Sequence, residues 1–351
     1  MKINGSRKYD GSRSINVYSI VLLSPAVYFK IMSIQKIKER YFKQINSMDL
    51  ELLLEFVLNK SKEFILTNPD YKLSTIQQFK LKYFIGQLRK NKPVDYIIGR
   101  KEFYGLDFKV NKHTLVPRPE TEQIIDLASE IILANQQRNF TFIDLGTGSG
   151  NIPIALAKKL SQKTSDTMSI AMYASDISKS ALKVAQLNAL YHQVGIKFVR
   201  GNLLEPFYKL LTTKTTKPVI SGCCGNISAT CNKLSSQDVQ SKILLITANL
   251  PYLSEEIYNK TAVKVKKYEP QTALVSGDDG LEHYRKLLQQ LKKLKASKNF
   301  SFQKTFVLLE ISPEQKDLIQ KEILKVFSSA EIEIYKDLAQ KWRMVVTEIA
   351  Y

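Results

Sequence analysis

The stretch NFTFIDLGTGSGNIPIALAKKL, residues 139–160, constrains this chain more than any other. Its first half reads as a buried strand and its second half as a helix. Between them stand three glycines, Gly146, Gly148 and Gly150. Glycine lets a backbone turn sharply and approach a ligand closely. Strand, glycine-rich turn and helix in that order open a doubly wound α/β domain. Such a turn serves NAD, FAD or S-adenosylmethionine, and a tight turn that binds nothing can carry the same residues.

The text that follows keeps the alternation. MSIAMYASD, IKFVRGN, ILLITA and TFVLLEIS read as strands, with helices such as SKSALKVAQLNALYHQ between them. AEIEIYKD and WRMVVTEIAY close the chain and suit an antiparallel edge. The expectation is a Rossmann-like, mostly parallel sheet over residues 119–351. A stretch rich in Ser, Thr, Lys and Gly, about 207–241, reads as a flexible insertion before the fourth strand.

Ahead of this domain, residues 32–100 read as a small helical bundle. MDLELLLEFVLNKSKEFIL is one amphipathic run, broken at Asn68-Pro69-Asp70, and LSTIQQFKLKYFIGQLRKN is another, with Ser74 as its N-cap. Its place before a catalytic domain suggests substrate docking. Residues 101–118 link the parts, and EFYGLDFKV reads as a hairpin turning at Gly105. PRPETE then sets two prolines before a helix starting near Glu120, with acids suited to a helix N-terminus. Residues 1–31 are basic and nearly free of acids, and read either as a disordered N-terminal extension upstream of Met32, the favoured reading, or as a transit-like leader.

Bulk properties exclude several classes. With 351 residues and 44% hydrophobic content the chain can build a sizeable core. It has no run of about 18 apolar residues, so no membrane helix is expected. The three cysteines, Cys223, Cys224 and Cys231, share one polar stretch without a neighbouring histidine, which fits neither a zinc site nor a disulfide framework. The net charge of +19 favours acidic partners such as RNA, although the lysines are spread along the chain.

Three further features carry chemistry. Asp176, closing the second strand, can accept hydrogen bonds from both hydroxyls of a ribose, as any adenosine cofactor requires. Asn202 and Leu203, after the third strand, stand where an adenine ring would fall, one to accept from its amino group and one to pack on it. Asn249-Leu250-Pro251-Tyr252, after the fourth strand, decides between cofactors. A nicotinamide enzyme has no need of it. A methyltransferase acting on a planar nitrogen does, because that nitrogen's lone pair is delocalised. The Asn249 side-chain oxygen and the Leu250 carbonyl can each accept one of its N–H bonds. Pro251 holds Leu250 extended and so aims that carbonyl. Tyr252 can pack over the planar group.

KEFYGLDFKV, LVPRPETE, DLGTGSGNIPIALA, YASDIS, YEPQTALVSGDDGLEHYRKL, LLEIS and KDLAQKWRMVV occur in order. In them the chain resembles the HemK/PrmC-type glutamine N5-methyltransferases of peptide chain release factors. The resemblance runs from about Met48 to the C-terminus, apart from the insertion. PRPETE and the later YEP…ALVSGDDGL are specific to that family. The resemblance implies S-adenosylmethionine as donor and the glutamine of the release factors' Gly-Gly-Gln loop as acceptor. It implies that Gly146, Thr147, Gly148, Ser149, Gly150 and Asp176, with Asn202, Leu203 and Asn249, hold the cofactor. Asn249 to Tyr252 would hold the glutamine amide, and Arg118 and Glu120 would help shape the site. Leu250 departs from the family's usual proline, Asn202 stands where an acid is common, and the insertion is longer than usual.

An RNA adenine N6-methyltransferase is the rival reading, since Asn-Leu-Pro-Tyr is typical of rRNA adenine dimethyltransferases and the chain is basic. A non-catalytic docking scaffold is the other, opposed by the intact glycine turn, Asp176 and Asn249. The expected setting is the bacterial cytoplasm, or alternatively an organelle matrix. A monomer is expected, with the release factor as partner, incidental RNA contact, no metal and no membrane.

Overall fold

The computed structural model describes residues 31–135, 139–161, 169–212 and 242–351. The chain forms two compact units that divide between Ile85 and Gly86. In the first, α1 (Ile34–Tyr41) is capped by Ser33 and α2 (Ser47–Leu58) by Asn46. The apolar run that the sequence offers as one helix is interrupted earlier than Asn68. Asn59 ends α2 in the left-handed conformation, which asparagine tolerates, and Ser61 caps α3 (Lys62–Thr67). Ser74 and Gln77 exchange backbone hydrogen bonds at the start of α4 (Thr75–Leu88), as a capping box does. Ile34, Ile37, Leu53, Leu54, Ile65, Leu81 and Ile85 form the buried interior of this unit.

The second unit opens with α5 (Val94–Ile98) and the hairpin of β1 (Arg100–Phe103) and β2 (Leu106–Lys109), turning at Tyr104-Gly105. Tyr96 of α5 packs with Val110, Val116 and Tyr268, all within this unit. A short 3-10 turn, Pro119–Glu122, leads into α6 (Gln123–Ala134). The main sheet then builds from β3 (Asn139–Leu145), α7 (Asn151–Leu160), β4 (Ile170–Asp176), α8 (Lys179–Tyr191) and β5 (Lys197–Arg200). Next come α9 (Tyr208–Thr212), β6 (Lys242–Ala248), α10 (Glu255–Lys260), α11 (Val263–Tyr268), α12 (Glu282–Lys295) and β7 (Lys304–Glu310). The chain closes with α13 (Lys316–Val326), β8 (Glu331–Lys336) and β9 (Trp342–Ala350).

These seven strands lie in the order β5-β4-β3-β6-β7-β9-β8. The first five are mutually parallel, and β9 runs antiparallel to both β7 and β8. This is the doubly wound sheet with an antiparallel edge. β6 shows why its strands read as continuous apolar runs: Ile243 and Leu245 enter the core under α6 and α7, while Leu244, Ile246 and Ala248 enter the core under α12 and α13. The first part of the expected insertion is ordered helix. Leu211 of α9 is buried in the second of those cores, so apolar packing recruits residues 208–212. The cysteines and the rest of the insertion lie outside the described residues, as does the segment before Ile31. Among the described residues no helix is long and apolar enough to cross a membrane.

β4 lies on one side of β3 and β6 on the other, so the winding reverses at β3. In such sheets the crevice outside the carboxyl ends of the strands is where ligands bind. The glycine turn and Asn249 follow the carboxyl ends of β3 and β6, and Asp176 closes β4.

Candidate active site

The turn after β3 is held from several sides. Thr147 donates its backbone N–H to the Ser175 carbonyl at 2.9 Å, and Gly148 donates to Asp176 Oδ2 at 2.9 Å. Asn188 of α8, fully buried, donates from Nδ2 to the Ser149 carbonyl at 2.8 Å and also bonds both backbone groups of Lys109. At Gly150, φ is +79°, and a Cβ would come within 3.1 Å of Ala185 Cβ and Ile154 Cδ1. The close approach of α7 to α8 thus requires glycine there.

Two carboxylates face this turn. Asp176 Oδ1 accepts the Ser178 N–H at 2.8 Å, so each of its oxygens has one backbone partner and can accept again. Burial raises its carboxyl pKa, opposed by those two N–H groups. Asp144 is fully buried and accepts from Thr247 Oγ1 at 2.8 Å, while its Oδ2 has no hydrogen-bond partner among the described residues. Burial pushes Asp144 up to about 7, and the charge of Asp176 adds to that rise. Thr147 Oγ1 is likewise buried and unpaired, near enough to favour the Asp144 anion without completing a hydrogen bond. Two neighbouring acids that resist ionisation, with unused acceptor sites, suit a ligand bearing positive charge and hydroxyls. S-adenosylmethionine has a sulfonium, an ammonium and a ribose diol, and these residues fit it.

The Asn249 to Tyr252 segment meets this turn directly. A Cβ at Gly146 would lie 3.1 Å from Leu250 Cδ2. Leu250 is buried, so the residue that departs from the family's proline is a core residue. Asn249 Nδ2 donates to Thr121 Oγ1 at 3.1 Å, and Thr121 Oγ1 donates to Glu310 Oε2 at 2.6 Å. The other Glu310 oxygen accepts from the Tyr252 hydroxyl at 3.3 Å. Among the described residues no hydrogen bond engages Asn249 Oδ1 or the Leu250 carbonyl. The Tyr252 carbonyl accepts from Gln315 Nε2 at 2.8 Å, and the same nitrogen donates to the Asp279 carbonyl at 3.0 Å. Tyr284 donates its hydroxyl to the Glu310 carbonyl. Burial and the Glu310 charge raise the pKa of both Tyr252 and Tyr284, so both phenols stay protonated; the Leu250 backbone N–H, which a proline would lack, opposes the rise at Tyr284.

The remaining expected residues divide. Asn202 is half-buried at the end of β5, beside Gly201, whose N–H bonds the Asp176 carbonyl at 3.1 Å. Leu203 follows Asn202 in the chain. It sits in the core with φ +55°, 5% exposed, drawn in by the apolar cluster around Leu204 and Phe207. Arg118 donates Nη2 to both oxygens of Glu269 at 2.6 and 2.7 Å, joining PRPETE to the YEP segment. Glu120 is exposed, and its charge opposes ionisation of Glu310. Thr121, Glu310, Gln315 and Asp144 are not among the residues read from the sequence. Three of them carried a signal: Thr121 lies between Arg118 and Glu122 within PRPETE, Asp144 is the lone acid of β3, and Glu310 is the lone acid closing β7.

Comparison with known proteins matches two domain families in succession along the chain. Residues 38–99 match the PrmC N-terminal domain family and residues 121–212 the Methyltransferase small domain family. The release factor glutamine methyltransferase of Bacillus subtilis (strain 168) is 30% identical over 305 residues, 86% of this chain and 91% of that protein. That of Dictyoglomus turgidum is 34% identical over 309 residues, 86% and 93% of the two chains. Among solved structures, the hMettl16 catalytic domain in complex with MAT2A 3'UTR hairpin 1 is similar with a TM-score of 0.45 at 15% identity, over 92% of this chain and 96% of that one.

Proposed function

This chain belongs to the release factor glutamine methyltransferase family, and on that premise we propose how its residues perform the reaction. The enzyme transfers a methyl group from S-adenosylmethionine to the side-chain nitrogen, N5, of the glutamine in the Gly-Gly-Gln motif of release factors, in support of translation termination. Asn249 carries the reading: its Nδ2 is anchored on Thr121, while its Oδ1 and the following carbonyl stay available. The glutamine –NH2 has two hydrogens, and these are two acceptors for them. Asn249 and Leu250 thereby fix the nitrogen in place and draw electron density back onto it. Positioning of this kind lowers a barrier by about 7–11 kcal/mol at best. Tyr252, held through its carbonyl by Gln315 and through its hydroxyl by Glu310, walls the amide plane.

When bound, S-adenosylmethionine supplies an electrophilic methyl on a sulfonium. Gly146 to Gly150, Asp176 and Asp144 would hold it, with Asn202 at the adenine end. The methylated nitrogen is cationic and strongly acidic, so its proton leaves without a dedicated base. Glu310, the carboxylate nearest the clamp, is already occupied by Thr121 and Tyr252. We place the reaction in the bacterial cytoplasm, with an organelle matrix as the alternative compartment; the bacterial origin of both relatives supports the first. We further propose a monomer, with incidental RNA contact supported by the net charge of +19.

Asn249→Ala is expected to keep cofactor affinity in calorimetry and to lose nearly all methyl transfer to release factor. Turnover at the wild-type rate contradicts the clamp.

A further inference from the structure

We infer that Thr121 and Glu310 are positioning residues that decide which way round the Asn249 carboxamide faces; this rests on the reading of Asn249 as the amide clamp. A threonine hydroxyl has one hydrogen. At 2.6 Å from Glu310 Oε2, an acceptor when ionised, that hydrogen is committed to the carboxylate. Only lone pairs of Thr121 Oγ1 then face Asn249, so the group presented at 3.1 Å must be the Nδ2 amide. Rotating the carboxamide by half a turn would set Oδ1 against an oxygen with no hydrogen to offer. The polarity of the chain, from Asn249 to Thr121 to Glu310, therefore fixes Oδ1 on the side away from Thr121, where a substrate N–H can reach it.

The surroundings make the arrangement rigid. Thr121 and Glu310 are each 1% exposed. The second Glu310 oxygen takes the Tyr252 hydroxyl, so one carboxylate orders both the clamp's amide and its aromatic wall. The chain matters more here because Leu250 gives Asn249 none of the backbone restraint that a following proline imposes.

The direction of the chain depends on Glu310 being ionised. The charged and titratable groups acting on it are Arg343, which favours the anion, Glu120, which opposes it, and the hydroxyls of Tyr252 and Tyr284. Burial raises its carboxyl pKa. A protonated Glu310 can donate to Thr121, freeing the Thr121 hydrogen for Asn249 Oδ1, which is the inverted clamp. Turnover should therefore fall as pH drops through the Glu310 pKa.

The test uses the full chain with release factor as methyl acceptor. Thr121→Val keeps the shape and removes the hydroxyl; Thr121→Ser keeps the hydroxyl. Thr121→Val is expected to lower kcat about 100-fold, the scale of a misplaced reacting group, with KM for release factor and cofactor affinity in calorimetry little changed. Thr121→Ser is expected to restore kcat to within roughly tenfold of wild type, since it leaves the oriented acceptor in place. Glu310→Gln should flatten the acid limb of the kcat profile. Near-wild-type turnover in Thr121→Val overturns the inference. So does a Thr121→Ser variant as defective as Thr121→Val, or an acid limb unchanged in Glu310→Gln. The serine variant and the pH profile decide the matter even if the valine variant fails to fold. A wild-type chain that leaves release factor unlabelled removes the premise instead, and the two failures are distinguishable.

Discussion

Gly280 offers the sharpest test of how the clamp is supported. It is buried with φ +76°, and an added Cβ would lie 2.1 Å from the Tyr252 carbonyl oxygen and 2.4 Å from Gln315 Nε2. Both are parts of the lock that holds the Asn249 to Tyr252 segment. Gly105, at the hairpin turn, has a similar φ of +70° but no atom within 4 Å of the same position. Alanine at Gly105 meets only the conformational penalty, about 1 kcal/mol. At Gly280 it meets that penalty and also displaces Gln315 Nε2, whose two hydrogen bonds contribute about 1 kcal/mol each. The sum is about 3 kcal/mol for Gly280→Ala against about 1 for Gly105→Ala. Relieving the clash also moves the Tyr252 carbonyl by on the order of 1 Å, a displacement that costs about 100-fold in rate when it reaches a reacting group. Urea unfolding followed by fluorescence of the single tryptophan, Trp342 in β9, reads the catalytic unit, and methyl transfer reads the site. If Gly280→Ala loses no more stability and no more turnover than Gly105→Ala, the lock is not what supports the clamp.

Two further outcomes follow from buried charges. Burial raises Asp144 from 3.8 to about 7, so the folded chain retains a proton that the unfolded chain releases. Stability of the cofactor-free protein should then fall as pH rises from about 4 to about 7, by on the order of 4 kcal/mol, and stay level above that. Asp144→Asn should remove the Asp144 share of this fall and leave the shares of Asp176 and Glu310, whose carboxyl pKa values burial also raises; a variant whose stability falls with pH as steeply as the wild type contradicts it. Arg118→Ala strands Glu269, whose side chain is only 2% exposed, and should destabilise the catalytic unit by about 2 kcal/mol, below the usual cost for a buried pair because the arginine is 37% exposed. Arg118→Ala with Glu269→Gln should recover part of that loss; a double variant no better than the single one shows that the pair's charge is not the cause.

Much of the second unit was legible in the sequence because its signals are local. Apolar strand runs, the glycine turn and Asn-Leu-Pro-Tyr each announce themselves within a few residues. The order β7-β9-β8 was not, since periodicity marks β8 and β9 as strands without saying that the last one inserts beside β7. The helix Tyr208–Thr212 was missed because packing of Leu211 into the core, rather than propensity, holds it. The same core takes in Leu203, a packing role that its place after the third strand does not announce. Tertiary convergence hid the support of the site. Thr121 and Glu310 are 189 positions apart, and Arg118 and Glu269 are 151 apart. PRPETE and LLEIS were visible as words, but their meeting at Asn249 is a product of the fold.

The most direct test of the account offers the enzyme, with labelled S-adenosylmethionine, release factor and ribosomal RNA in one reaction, and locates the label by mass spectrometry. The account predicts a single methyl group on the glutamine of the Gly-Gly-Gln peptide and none on adenine. Label on RNA with an unmodified Gly-Gly-Gln peptide would contradict it.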